Sequence, residues 1–136
     1  MGKINTQKVL IGGLVAGAVM NVIDILAYGV VFRSTFPEPT ASGPFGLPLT
    51  LWFVIMDFVY GIVLVYLYAA IRPRFGAGPR TAVIAALLVW TLISLLHGLT
   101  EAPMAFAPQK VYTIGALIGL VALPLGALAG AKVYTE

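Results

Sequence analysis

The chain has 136 residues, of which 60% are hydrophobic and 10% are charged, and its formal net charge is +3 at pH 7. Soluble domains carry about 25% charged residues, so this composition and the mean hydropathy of +1.01 argue against a water-soluble fold. The chain has no cysteine, which excludes disulfides, thiolate metal sites and thiol chemistry. At this length we expect one integral membrane domain, residues 1–136.

Four apolar stretches follow one another along the chain, separated by segments rich in proline, glycine or basic residues. The first stretch is too long for the core of a signal peptide, so we interpret it as retained. Stretches of about 20 residues match the length that an α-helix needs to span a bilayer. The sequence therefore predicts an all-α fold, a bundle of four transmembrane helices. We expect these helices at residues 9–32, 49–71, 81–101 and 111–131.

Basic residues fall mainly on one side of this predicted bundle. Only Arg33 and Lys110 would lie on the other side. Because basic residues favour the cytoplasmic side, we expect both termini to be cytoplasmic. Arg72, Arg74 and Arg80, in the turn between the second and third helices, are candidates for binding anionic lipid headgroups. The charge is spread over chain ends and one turn, so the bilayer is the expected partner and nucleic acid is not. The majority side holds Lys3, Lys8, Arg72, Arg74, Arg80 and Lys132.

Glycines spaced four residues apart mark the first and fourth helices as surfaces for close packing. Gly13 and Gly17 form such a pair in the first helix, and the second helix adds Gly61. Small residues let helix backbones approach each other in a membrane. We therefore expect the first and fourth helices to pack tightly, with each other or with another copy of the chain, and we expect Gly119→Leu to disrupt that packing. The glycines of the fourth helix are Gly115, Gly119, Gly126 and Gly130.

Five polar residues interrupt the apolar stretches in the half of the membrane opposite the termini. At a rise of about 1.5 Å per residue, Asp24, Asp57 and His97 come out in this half from three different helices, at similar depths. Polar groups in a membrane face protein or water, so we expect these residues to meet inside the bundle. Acids ionised together in a low dielectric repel, so at least one should be protonated or paired with a cation or a basic side chain. The ion- or proton-site candidates are Asn21, Asp24, Asp57, His97 and Glu101.

Three interpretations of these polar residues remain open. They form a hydrogen-bonded network that fixes helix register, a cation or proton site open to the outside, or a transition-metal site with His97 as a ligand. The sequence lacks H-x-x-E-H and E-x-x-H spacings, its single histidine excludes haem with two His ligands, and nothing resembles the nucleophile elbow of a hydrolase. Of the three interpretations the metal site has the weakest signal, and we expect no metal, no cofactor and no enzymatic activity.

Three segments carry a resemblance to other proteins. GGLVAGAVMNVID, YAAIRPRFGAGPRTAVIA and LPLGALAGA together resemble a group of small, uncharacterised bacterial four-span integral membrane proteins. The resemblance covers most of the chain apart from the loop after the first helix. It implies four spans and a bacterial plasma (inner) membrane, and it implies no activity.

Two functions are compatible with these features. The glycine seams and the near absence of soluble mass favour a helical accessory subunit, which packs in a membrane complex or a homo-oligomer with other membrane helices as partners. The alternative is a small cation- or proton-linked transporter or channel component that uses the acidic residues of the outer half.

Overall fold

The structure, a computed structural model, describes residues 3–35, 47–104 and 108–135. In this part of the chain four helices are long and apolar enough to cross a membrane, and we call them spans 1 to 4. The prediction of an all-α bundle with four spanning helices is confirmed at this level. The spans are Thr6–Val31, Leu49–Phe75, Pro79–Met104 and Gln109–Val133.

Spans 1 and 3 change helix type within their length, whereas spans 2 and 4 are α-helical over Leu47–Phe75 and Gln109–Val133. Span 1 is α-helical over Thr6–Leu26 and π-helical over Ala27–Val31. A π-helical turn is wider than an α-helical turn and is frequent at functional sites. Span 3 consists of α-helix Pro79–Trp90, π-helix Thr91–Leu96, α-helix His97–Glu101 and 3-10 helix Ala102–Met104.

The basic turn between spans 2 and 3 is shorter than the sequence indicates. We expected the second helix to end at Ile71, but it continues to Phe75. Gly76 and Gly78 then form the turn with φ of 84° and 132°, a backbone region that favours glycine. Pro79 begins the next helix, where the missing N–H of proline is not needed. The prolines near this turn therefore do not mark the helix end, which the two glycines set.

Span 1 crosses span 2 with the two backbones in contact. A Cβ atom added at Gly13 would lie 2.5 Å from Ile62 Cα, and one at Gly17 would lie 2.6 Å from Phe58 Cα. A Cβ atom at Gly61 would overlap the Gly13 carbonyl oxygen and lie 2.6 Å from Gly17 N. Only glycine fits these three positions without moving a helix.

Span 1 meets span 4 in a second close crossing, along an adjacent stripe. A Cβ atom at Gly12 would lie 2.8 Å from the Gly130 carbonyl oxygen, and one at Gly130 would lie 2.7 Å from the Gly12 carbonyl oxygen. A Cβ atom at Gly126 would lie 3.1 Å from the Ala16 carbonyl oxygen. Gly12 was not among the predicted packing residues, because it lies outside the four-residue spacing of Gly13 and Gly17. Span 1 thus touches spans 2 and 4 on neighbouring faces, while span 3 packs mainly against span 4.

The buried core lies at one end of the bundle. In span 3 all buried residues precede Trp90, and no residue of Thr91–Met104 is buried. The π-helical end of span 1, Ala27–Val31, has no buried residue either. We call the well-packed end, where Asn5, Gly78 and Tyr134 lie together, the terminal end, and the opposite end the loop end. The bundle is therefore tightly packed at the terminal end and more open at the loop end.

Tyr134 connects the chain termini to span 2 at the terminal end. The residue is 4% exposed, and its hydroxyl accepts a hydrogen bond from the Asn5 backbone N–H at 3.3 Å. Its ring packs edge-on against Tyr68 with the centroids 6.0 Å apart, and the Arg72 guanidinium lies 5.7 Å above the Tyr134 ring centroid. The Tyr68 hydroxyl in turn accepts from the Gly78 N–H at 3.2 Å. These contacts hold the terminal end together around two aromatic residues, Tyr68 and Tyr134.

Large apolar side chains are exposed on all four spans. Leu14, Trp52, Leu92 and Leu117 are examples, with exposed fractions between 46% and 62%. In water such a surface would be unfavourable, whereas in a bilayer it contacts lipid tails. This distribution fits a multi-pass membrane protein.

Candidate functional site

Two adjacent cavities occupy the open half of the bundle. The outer cavity, of about 250 Å³, is lined by residues of spans 1, 3 and 4, including His97 and Glu101. The inner cavity, of about 100 Å³, is lined by residues of all four spans, including Asp24 and Asp57. Four of the five predicted site residues therefore face these two spaces.

Asp24 and Asp57 both line the inner cavity. Both side chains are half-buried, and Tyr28 and Tyr60 line the same space. The cavity has room for several water-sized groups, which makes it large enough for a partly hydrated small cation. Two carboxyl groups in one small space attract a positive charge, because a proton or cation between them removes their mutual repulsion.

The outer cavity contains an imidazole–carboxylate pair at its rim. His97 Nε2 lies 3.1 Å from Glu101 Oε1, one helical turn further along span 3. The His97 side chain is 63% exposed and the Glu101 side chain is 29% exposed. These two residues therefore lie at the entrance of the open half and not beside the inner carboxyl groups.

The axial register of spans 1 and 2 sets the relative depths of Asp24 and Asp57. Gly13 faces Ile62, Gly17 faces Phe58, and the Asn21 side chain donates to the Val54 carbonyl. Residue numbers therefore rise by four along span 1 where they fall by four along span 2. On this register Asp57 lies deeper than Asp24 by about six residues, or about 9 Å at the helical rise. The helix ends predict similar depths for Asp24 and Asp57, but the register staggers these two residues.

The two staggered carboxyl groups still reach one cavity because the spans are antiparallel. Side chains on a helix tilt toward its N-terminus. The Asp24 side chain therefore tilts toward the terminal end, and the Asp57 side chain tilts toward the loop end. This tilt shortens the axial separation of the two carboxyl groups, in agreement with their shared cavity.

The two π-helical segments supply residues that line both cavities. Tyr28 comes from the π-helical end of span 1, and Ile93 and Ser94 come from the π-helix of span 3. All three line both the outer and the inner cavity. Tyr28 could be found from the sequence because it lies four residues after Asp24 on the same helix face. The π-helical turns could not, because apolar periodicity does not reveal one extra residue in a turn.

Asn21 has a structural role and does not line either cavity. The residue is 8% exposed, and its side-chain Nδ2 donates to the Gly17 carbonyl at 3.0 Å and to the Val54 carbonyl at 3.2 Å. The second bond joins spans 1 and 2 next to their glycine crossing. Asn21 therefore fixes the register on which the position of Asp57 depends.

Gly115 and Gly119 of span 4 lie outside the close backbone crossings. A Cβ atom at Gly115 would lie 3.5 Å from the Tyr28 hydroxyl, and one at Gly119 would lie 3.4 Å from Ser94 Oγ. These are ordinary van der Waals distances to side chains, so a methyl group fits at both positions. Gly126 and Gly130, by contrast, meet backbone atoms of span 1. The four glycines predicted to pack along the fourth helix therefore have two roles. Gly126 and Gly130 pack against span 1, whereas Gly115 and Gly119 line cavities.

The three arginines proposed for headgroup binding have different surroundings. Arg74 and Arg80 are exposed near the turn between spans 2 and 3. Arg72 is half-buried and stacks over Tyr134. Arg72 is therefore part of the terminal-end packing, whereas Arg74 and Arg80 are in a position to meet lipid headgroups.

The predicted polar residues do not converge into a metal site. Among the described residues, no group of three or more His, Cys, Asp or Glu side chains is arranged to hold a metal ion. The pairs Asp24 with Asp57 and His97 with Glu101 lie in different cavities, which explains this result.

Comparisons of the chain with protein-family models, with curated proteins and with solved structures gave no match. Any assignment of function therefore depends on the residues and cavities described above.

Proposed function

We propose that this protein binds a single positive charge, either a proton or a small monovalent cation, between Asp24 and Asp57. The bound proton or cation exchanges with the water at the loop end. The protein is then a small proton- or cation-linked transporter or channel component. The observation that carries the proposal is the inner cavity, where two carboxyl groups from neighbouring spans face one small space.

Electrostatics favour one bound positive charge at this position. Each Asp at the centre of a span costs roughly 2.5–3.5 kcal/mol on the insertion scale, which the apolar residues of the span offset. Two ionised carboxylates that share a space in a low dielectric add a repulsion that apolar residues do not offset. A proton shared by the pair, or a small cation between them, removes this repulsion and leaves one net negative charge.

Polar side chains mark a route from the loop end to this pair. Glu101 and His97 lie at the outer cavity, Ser94 and Tyr28 line both cavities, and Asp24 lines the inner one. Hydroxyl groups both donate and accept hydrogen bonds, so Tyr28 and Ser94 can pass a proton or coordinate a cation. Ionisable residues placed in this way inside spans are typical of proton and ion pathways.

The proposed location is a bacterial plasma membrane with the terminal end in the cytoplasm. Support comes from the excess of basic residues at the terminal end, where Arg74 and Arg80 are exposed. Binding of anionic headgroups by these arginines would add to this orientation. In this arrangement the outer cavity opens away from the cytoplasm. Labelling of a loop-end cysteine in vesicles of either orientation tests the arrangement.

The proposal predicts a carboxyl group that titrates inside the membrane domain. In detergent or liposomes, infrared difference spectra of the wild type should show the C=O band of a protonated carboxyl group that disappears when the pH is raised. Asp24→Asn and Asp57→Asn should each remove this band, because the shared proton needs both carboxyl groups. Adding Na⁺ or K⁺ at fixed pH distinguishes a proton site from a cation site. The band of the protonated carboxyl group should weaken with added salt only if the cation competes with the proton.

Glu101→Gln is the matched control for this experiment. Glu101 is a carboxyl residue of the same helical bundle, but it lies at the rim beside His97. The band assigned to the inner pair should survive this substitution. A wild type without a titrating band, or a band that both Asp variants keep, would contradict the proposed function.

The alternative function, a subunit that packs against other membrane helices, is less specifically supported. Six glycines of spans 1, 2 and 4 already meet backbone or side-chain atoms inside the bundle at close range, so they do not provide an outer surface. The exposed apolar side chains fit contact with lipid as well as contact with another helix. A stable complex with other membrane proteins, isolated in mild detergent and identified by mass spectrometry, would favour this alternative. The six glycines are Gly12, Gly13, Gly17, Gly61, Gly126 and Gly130.

A further inference from the structure

The outer and inner cavities meet at one ring of residues. Tyr28, Ile93, Ser94 and Gly115 line both spaces, and they come from spans 1, 3 and 4. A group that moves directly from the outer cavity of about 250 Å³ into the inner cavity of about 100 Å³ passes between these residues. We call these four residues the junction ring.

Two glycines leave space at the ring and just below it. Gly115 faces the Tyr28 hydroxyl and Gly119 faces Ser94 Oγ, each with room for a methyl group and for little more. A larger side chain at Gly115 would enter the space between span 4 and Tyr28. Because span 4 has no side chain at this level, Tyr28 and Ser94 bound the space where the two cavities meet.

We infer that the junction ring is a size filter, which admits protons and small monovalent cations to the inner cavity and excludes larger organic cations. This inference depends on the proposed function, since it assigns to the ring the choice of ions that reach Asp24 and Asp57. The two hydroxyl groups replace part of the water around a small cation or relay a proton, while Ile93 forms an apolar wall. Organic cations enter the wider outer cavity but stop at the ring.

Cysteine substitution tests the filter, because the natural chain contains no cysteine. Gly119→Cys places a thiol in the inner cavity, and Tyr112→Cys places one in the outer cavity. The probes are Ag⁺, which replaces the thiol proton and forms an S–Ag bond, and a trimethylammonium methanethiosulfonate. In the second reaction the thiolate attacks the reagent sulfur, methanesulfinate leaves, and a disulfide forms.

The filter predicts a difference between the two thiols. Tyr112→Cys should react with both reagents, whereas Gly119→Cys should react with Ag⁺ and not with the trimethylammonium reagent. Adding Tyr28→Ala to Gly119→Cys should let the larger reagent react, because the substitution removes one wall of the ring.

A leucine at Gly115 should close the passage. In the Gly119→Cys background, Gly115→Leu should slow the reaction with Ag⁺ by about tenfold or more, since an added barrier of about 1.4 kcal/mol has this effect. Gly29→Leu is the matched control, because Gly29 is exposed and a Cβ atom there has no neighbour within 4 Å. Unfolding would speed the reaction, so a slower rate cannot come from loss of structure.

Three results would overturn the filter. They are equal reaction of Gly119→Cys and Tyr112→Cys with the trimethylammonium reagent, no reaction of Gly119→Cys with Ag⁺, and an Ag⁺ rate that Gly115→Leu leaves unchanged. A different measurement contradicts the proposed function, namely infrared spectra that lack the titrating carboxyl band assigned to Asp24 and Asp57. Thiol rates and infrared spectra therefore distinguish a wrong filter from a wrong binding site.

Discussion

Gly61→Ala should destabilise the protein more than the addition of one methyl group at an uncrowded helix position does. The added Cβ atom would overlap the Gly13 carbonyl oxygen and approach Gly17 N, so spans 1 and 2 would have to separate along their whole crossing. Overpacking of this kind typically costs about 1–3 kcal/mol, and here it also weakens the neighbouring bonds of Asn21. The helix propensity of alanine, which exceeds that of glycine by about 1 kcal/mol, acts in the opposite direction and should not compensate.

Gly119→Ala is the control for this substitution. The same methyl group would meet Ser94 Oγ at 3.4 Å, an ordinary contact, so the variant should be as stable as the wild type or slightly more stable. The free energy of unfolding, measured by titrating mixed micelles with a denaturing detergent, gives the comparison. Equal stability of Gly61→Ala and Gly119→Ala would mean that spans 1 and 2 do not cross at these glycines.

Tyr134→Ala should produce the second large loss of stability. The residue is buried, and its ring contacts Tyr68 and Arg72 while its hydroxyl bonds the Asn5 N–H. Truncation of a buried aromatic side chain to alanine costs about 3–5 kcal/mol, because the transfer free energy is lost and a cavity remains. The terminal end should then open, and the chain termini should become sensitive to proteases.

Tyr134→Phe separates the hydroxyl from the ring. It keeps the aromatic packing and removes only the hydrogen bond to Asn5, which should cost about 0.5–1.5 kcal/mol. Unfolding titrations of both variants in one detergent test this ranking. If Tyr134→Ala unfolds at the same denaturant concentration as the wild type, the C-terminal residues do not hold the terminal end together.

The existence of the four spans could be predicted from the sequence, because length and hydropathy depend only on local composition. The inward faces of spans 1 and 2 could also be predicted, because small and acidic residues recur at helical spacing and an acid avoids lipid. These residues are Gly13, Gly17 and Asp24 on span 1, and Asp57 and Gly61 on span 2. This reasoning places Asp24 and Asp57 on interior faces, and both do line one cavity.

The axial register between helices could not be predicted in the same way. Spacing within one helix says which residues share a face, but not how far that helix is shifted along its neighbour. The shift depends on which backbone atoms the glycines meet, such as Gly17 against Phe58. For this reason the helix ends did not predict the stagger between Asp24 and Asp57, although helical spacing placed both residues on interior faces.

Two further features of the structure cannot be detected from the spacing of apolar residues in the sequence. The π-helical segments add a wide turn to spans 1 and 3 within uniformly apolar sequence. Tyr134 lies in a short segment after the fourth apolar stretch that looks like an exposed tail, yet its ring is buried by residues far away in the chain. Both features arise from tertiary contacts.

The central claim is that a polar, water-accessible route leads from the loop end into the spans, and labelling of Ser94→Cys tests it most directly. Ser94 lines both cavities, whereas Leu92, two residues earlier on the same span, is 62% exposed on the apolar surface. A membrane-impermeant methanethiosulfonate should label Ser94→Cys in vesicles whose loop end faces the reagent and leave Leu92→Cys unlabelled, because a thiol in lipid does not ionise. If Ser94→Cys stays unlabelled from both sides of the membrane, no water-accessible route reaches this residue from the loop end, which would contradict the account.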